Sequence, residues 1–307
     1  ALIGYTANGG MNISSGTFNV DYFTIGNGTN SGTISHSGGT VNVSGDLTIN
    51  NSGAYNCTGS PSINISGYWI NNKNAAAFSP ANSTVTFNNN SALQSIYGSS
   101  TSHTFNNITI NKPGQTLNIS GSASSLQLNG NLLISAGTLD AGTAANIGVG
   151  GNWTNNGTSF VAGTGTVIFN GSTAQSLNGT TQTNFNKVQI NNASGVNLSS
   201  QNMVINGNVA GALDFQNGLI NTGAKMVMLG GTNGTVTGAA AGKYVNGFLR
   251  LGIATGSPTR VFEIGDAGNY TPVSVVFNNV TVSGYSTVNT TAGDHPNIIT
   301  SGIDETK

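Results

Sequence analysis

The sequence predicts an all-β chain: a right-handed parallel β-helix of about 21–24 residues per turn, followed by a small antiparallel β domain or cap. Three observations carry that expectation. The first is a long internal repeat. The stretch TFNNITINKPG at 104–114 returns as NFNKVQINNASG at 184–195, INISGYW at 63–69 is answered by IGVGGNW at 147–153, STVTFNN at 83–89 by GTVIFNG at 165–171, and LQLNGNL at 126–132 by MVINGNV at 203–209. The second is a shorter period inside the long one: Ile25 to Ile49, Phe87 to Ile110, Phe169 to Ile190 and Met203 to Met226 each span roughly one such turn. The third is local texture. Short runs such as TVTF, ITI, TLNI, LQL and LLI alternate apolar and polar residues between Gly, Asn or Ser turns, and no stretch repeats Ala, Leu, Glu and Lys at helical spacing.

Taken from the N-terminus, VNVSGDLTI at 41–49 already resembles LQLNGNLLI at 126–134, so coiling begins before the long repeat is complete. One turn of this size cannot bury its own apolar face; turns must stack, each strand pairing with its equivalent in the next, with Val, Ile, Leu and Phe columns inside. At ~4.8 Å per turn, about ten turns between residues 10 and 240 give a rod on the order of 50 Å long. In NITINK, Ile108 and Ile110 are expected inside and Asn111 at a corner. Asparagines recur at the matching places, Asn50, Asn88, Asn129, Asn170, Asn191 and Asn206. They suit a corner either as a hydrogen-bonded ladder or simply as residues that tolerate left-handed backbone. From about Lys243 the period is lost, both arginines (Arg250 and Arg260) appear, and longer alternating runs such as PVSVVFNNVTVSG follow. The domain expectation is therefore a β-helix over 1–242 and a β-sandwich-like unit, complete or incomplete, over 243–307.

Only 6% of the residues are charged and 45 of the 307 are glycine, against roughly 25% charge in an ordinary globular chain. Asn, Ser and Thr must keep this surface in water. A formal net charge of −1 with scattered basic residues excludes an electrostatic nucleic-acid or anionic-membrane surface, and no apolar run reaches the ~18 residues of a membrane span. The single cysteine, Cys57, has no internal disulfide partner and is expected to be a small buried apolar residue. The start ALIGYT, without Met, fits removal of a signal peptide or a boundary placed for other reasons. Together with the nearly uncharged surface it points to an extracellular or cell-surface location.

The succession GNWTNNGTSFVAGTGTVIFNGSTAQSLNG, FNKVQINNASGVNLSS, NGLINTGAKMVMLG, KYVNGFLR, FEIGDAGNYTPVSVVF resembles the β-repeat surface and secreted proteins of Bacteroidota-like bacteria, many of which leave the cell by type IX secretion. That resemblance covers nearly the whole chain and implies a cell-surface adhesin, matrix or fibre protein. No sorting domain of the type IX kind is visible.

Chemistry has few candidates. Of nine acidic residues, Asp21 and Asp46 alone are about one turn apart, with no basic residue near them in sequence, so the carboxylate pair of a glycosidase is not evident and a non-enzymatic protein without cofactors is expected. Glu263 and Asp266 lie in FEIGDAGNY, where Asp266 and Asn269 offer oxygens to a calcium ion or close an Asx turn. His36, His103 and His295 have no Cys or His at zinc-ligand spacing. Trp69 and Trp153 hold matched repeat positions and either pack inside or present flat faces to sugars, as Tyr68 and Tyr97 would. The expected function is a subunit of a surface fibre that joins copies of itself head to tail, with donation of the N-terminal strand ALIGYTANGG as one route. The alternatives are an adhesin for surface glycans and, behind both, a carbohydrate-active β-helix enzyme.

Overall fold

The computed structural model describes residues 1–266 and 268–291. It is a β-solenoid of about 12 turns built from mostly parallel sheets, with a small antiparallel sheet added near the C-terminus. One continuous column shows the stacking: Phe18, Val41, Ile63, Val85, Ile108, Leu132, Trp153, Leu177 and Leu198 follow one another in register, and Val196, Ile220, Val245 and Ile264 carry it on. These side chains point inward, and from Val41 onward all are buried. The alternation of each short strand does this, since residues one apart on a strand face opposite sides of the sheet. Ser62–Ile65, for example, sets Ile63 and Ile65 in the core and Ser62 and Asn64 outside.

Two further faces close each turn. One runs through Phe23, Leu47, Trp69 and Ile96. The other is a four-strand sheet through Gly9–Ile13, Gly32–His36, Gly53–Cys57 and Phe78–Ser79, then a seven-strand sheet from Ser102–Phe105 to Val236–Thr237. The expected Ile108 and Ile110 are inside, at 1% and 0% exposure. Asn111 is not at a corner: Asn107–Ile119 is one unbroken strand, and Asn111 sits where its register slips. Asn191 marks the same kind of irregularity in the second copy.

Parallel stacking does not stop at residue 242. Val245–Ile253 lies parallel on Ile220–Leu229, and Ile264–Asp266 lies parallel on Val245–Ile253. What changes after Lys243 is the addition of antiparallel pairs: Gly284–Val288 on Val245–Ile253, Val273–Val276 on Thr259–Phe262, and a hairpin that pairs Asp266 with Asn269. The last turns are thus both coil and cap. Arg260, 7% exposed, helps tie this region down by donating to the carbonyls of Thr232 and Gly234.

Candidate binding face

Outward residues of the column that begins with Thr17–Val20 form two parallel rows. The first row is Thr17, Thr40, Ser62, Thr84 and Asn107, continued by Asn131, Asn152, Ser176, Asn197, Asn221 and Asn246. The second is Asn19, Asn42, Asn64, Thr86, Thr109, Leu133, Thr154 and Asn178. Apart from Leu133, every one is a neutral amide or hydroxyl. They are outside because the strands alternate, and polar because this face has no second sheet to cover it.

Hydrogen bonds make ladders of part of each row, the second at its N-terminal end and the first from Asn107 onward. Asn42 donates to the Asn19 Oδ1 at 2.7 Å and Asn64 to the Asn42 Oδ1 at 2.8 Å. At the far end Asn221 donates to Asn197 at 3.1 Å and Asn246 to Asn221 at 3.0 Å. Between them the ladder uses backbone donors: the N–H groups of Asn131, Asn152 and Ser176 bond the Oδ1 of Asn107, Asn131 and Asn152, at 2.8, 2.7 and 2.8 Å. Each amide spends one group on its neighbour and keeps others for solvent or a ligand.

The corner asparagines behave differently. Asn50 accepts from Asn72 at 3.2 Å and donates to the Gly26 carbonyl, Asn88 accepts from Ser66, and Asn170 makes a reciprocal pair with Gln127 two turns below. That pair reaches across Gly148, where a Cβ would lie 2.0 Å from the Gln127 Oε1. Asn111, Asn129, Asn191 and Asn206 are exposed, and among the described residues none bonds another of the set through its side chain. The expected corner ladder is therefore corrected to a mid-strand one. Turns differ in length, so corners do not superpose, whereas strand centres are held in register by the backbone ladder.

At the N-terminal end the second row borders a groove of about 680 Å³, lined by Asn19, Asn42, Asn64, Asp21, Ser44 and Tyr22, with apolar side chains from Leu2, Val20 and Val43. Ser44 donates to the Asp21 carboxylate at 3.0 Å. Tyr22 is 62% exposed, and its ring lies over Gly45, whose missing Cβ would sit 2.7 Å from the ring edge. Asp46 instead accepts from the Tyr68 N–H at 2.7 Å, so Asp21 and Asp46 are bound up in separate turns of the corner.

The remaining candidates fall elsewhere. Trp69 and Trp153 are 1% and 0% exposed; they offer no face to a sugar, and the stacking role expected of them is withdrawn in favour of core packing. Tyr68 and Tyr97 meet edge to face at 5.6 Å, with Tyr68 36% exposed. Asp266 and Asn269 oppose each other across their hairpin, and among the described residues no three His, Cys, Asp or Glu gather as metal ligands. Glu263 accepts from the Tyr270 hydroxyl, and burial together with that bond pushes the phenol up to about 12. Cys57 is buried, and burial raises its thiol to about 12. Asp294, His295, Asp304 and Glu305 lie outside the described residues.

Two polar centres escaped the sequence reading. Asp214 accepts from Gln189, Gln216 and Thr237 at 2.9, 2.7 and 2.8 Å; burial works against its charge, but these donors prevail and hold the carboxyl below its usual range. Lys112 is fully buried and donates to the Asn89 and Ala92 carbonyls and to Gln94, at 2.6, 2.9 and 2.9 Å, with burial drawing its ammonium down to about 8.

Comparison with known protein families, with characterised proteins and with solved structures finds no match. A functional reading therefore rests on this geometry alone.

Proposed function

We propose that the protein is an extracellular structural rod whose function is to stack end to end with copies of itself into a fibre. The observation that supports this most directly is the difference between its two ends. At one end, among the described residues, the strands Leu2–Ile3, Gly9–Ile13 and Thr17–Val20 each pair on one side only, and their other edges fit a further turn, whether of the same chain or of another copy. At the other, Gly284–Val288 folds back antiparallel over Val245–Ile253. An unpaired edge is a template for another strand, and contact between unlike ends propagates instead of closing. Few charges stand in the way, since self-repulsion between copies with a net charge of −1 is small. No catalytic step or cofactor enters this reading.

Sedimentation velocity and negative-stain microscopy over a hundredfold concentration range test it. Species that grow in steps of one rod length are expected. Single rods at every concentration would overturn the proposal.

A further inference from the structure

We infer that the groove bordered by Asn19, Asn42, Asn64, Asp21, Ser44 and Tyr22 is a binding site for a neutral polysaccharide strand lying along the rod axis.

The chemistry of the lining selects the ligand. The groove offers side-chain amides, hydroxyls, one carboxylate, one exposed aromatic ring and the apolar side chains of Leu2, Val20 and Val43. A nucleic acid or an anionic glycan needs Lys or Arg, and none lines it. A lipid needs a continuous apolar wall, and here the amides of Asn19, Asn42 and Asn64 and the hydroxyls of Ser44 and Ser66 interrupt the apolar patches of Leu2, Val20 and Val43. A sugar chain presents hydroxyls, which both donate and accept, around apolar C–H faces. Amides match the first because each carries donors and an acceptor, and the ring of Tyr22 matches the second.

The geometry is built in advance. The Asn42 to Asn19 and Asn64 to Asn42 bonds, at 2.7 and 2.8 Å, hold the amides in one orientation, and Ser44 fixes Asp21. Tyr22 rests on Gly45, a position where any larger residue would displace the ring. Side chains ordered before binding lose little rotamer freedom when a ligand arrives. Asn19, Asn42 and Asn64 stand in one register on three successive turns, so amides recur every ~4.8 Å along the axis there. A polymer with its own axial repeat can use several of them at once. The volume of about 680 Å³ lies within the usual range of small-ligand sites.

The test is retention of the intact chain on microcrystalline cellulose, chitin and an insoluble β-1,3-glucan, followed by calorimetric titration with the matching hexasaccharide. Binding to at least one is expected, with little change between about 0.05 and 0.5 M salt because the ligand is uncharged. Tyr22→Ala and Asn42→Leu should each weaken it at least tenfold. Tyr22 is largely exposed, so its removal leaves the core intact, and an unchanged melting curve checks this. Thr154→Ala, in the same row but far from the groove, should bind as the parent does. Retention on none of the three polymers, binding that both groove substitutions leave unchanged, or binding abolished by salt would each overturn the assignment.

Discussion

The two copies of the long repeat share one aromatic cluster and differ in the polar residues beside it. In the first, Trp69 packs against Phe78 and Phe105 with ring centres 4.7 and 4.8 Å away; in the second, Trp153 packs against Phe160 and Phe185 at 4.9 and 5.3 Å. Gly98 and Gly179 hold the same left-handed bend in each, φ +138° and +125°, where a Cβ would strike the carbonyl of Asn71 or Asn155. Gln94 and Gln175 repeat a two-turn bridge: each carries a backbone N–H of its own corner on the Oε1 and donates to two carbonyls of the turn below. The apolar centre is thus strictly copied. Thr183, which accepts from Trp153 and Asn155 in the second copy, corresponds to His103 in the first, where neither ring nitrogen of His103 nor the indole N–H of Trp69 has a partner. Packing geometry leaves little freedom in a stacked turn, while a buried polar position tolerates several solutions of unequal quality.

The largest effect expected is on the shared part. Trp69→Ala and Trp153→Ala should each destabilise by about 3–5 kcal/mol, because neighbouring turns cannot collapse into a space of that size. The chain has two tryptophans, so each variant leaves one fluorophore in the untouched copy. Urea unfolding followed by that fluorophore should show a smaller midpoint shift than circular dichroism shows for the whole, because stability in a solenoid is a sum over neighbouring turns. Equal shifts by both probes would mean that the two copies unfold as a single unit.

The next effect separates the copies. Burial draws the His103 imidazole down to about 4. Its unfolded value is near 6.5, so between pH 6.5 and 4 the unfolded chain takes up a proton that the folded chain refuses, and stability falls as the pH falls through that window. The loss attributable to this group is on the order of 3 kcal/mol at the acid end. His36, lowered by the same cause, and the carboxylates add their own terms, so the informative quantity is the difference between the parent and His103→Thr. That substitution installs the residue of the second copy and offers Trp69 an acceptor. Its stability should exceed that of the parent below pH 6 and change little above it. A difference that is flat from pH 4 to 7 would refute the assignment to His103.

How much of this was legible in the sequence follows from what each residue answers to. The coil, its period and the inward pair Ile108 and Ile110 were readable because alternation and repetition are properties of the sequence itself. Trp69 and Trp153 announced their equivalence but not their burial, and the matched register favoured packing over display. The mid-strand ladder from Asn19 to Asn64 was hidden because asparagine is everywhere in this chain; only the register identifies which asparagines stack. Gln94 and Gln175 did leave a signal, QSIYG against QSLNG, and a buried glutamine at a repeated position is expected to bridge backbone groups. The groove had no signal at all, since it depends on how Tyr22 falls over Gly45.

The smallest effect concerns the other difference between the copies. Lys112 has its counterpart in Asn192, which donates to the Thr173 carbonyl at 2.7 Å and to Gln175 at 2.9 Å. A buried ammonium among three neutral acceptors satisfies them but sheds most of its hydration, and the two contributions oppose each other. Lys112→Met keeps the stem and removes the donors, leaving the Asn89 and Ala92 carbonyls and the Gln94 amide oxygen without them; a loss of about 1–3 kcal/mol is expected. Lys112→Asn should recover part of that loss, because the second copy shows a shorter neutral donor serving two of the equivalent acceptors. Thermal or urea unfolding of the three proteins decides the matter. If Lys112→Met is as stable as the parent, the bonds made by the ammonium only offset its own dehydration, and the second copy has the more economical answer to the same corner.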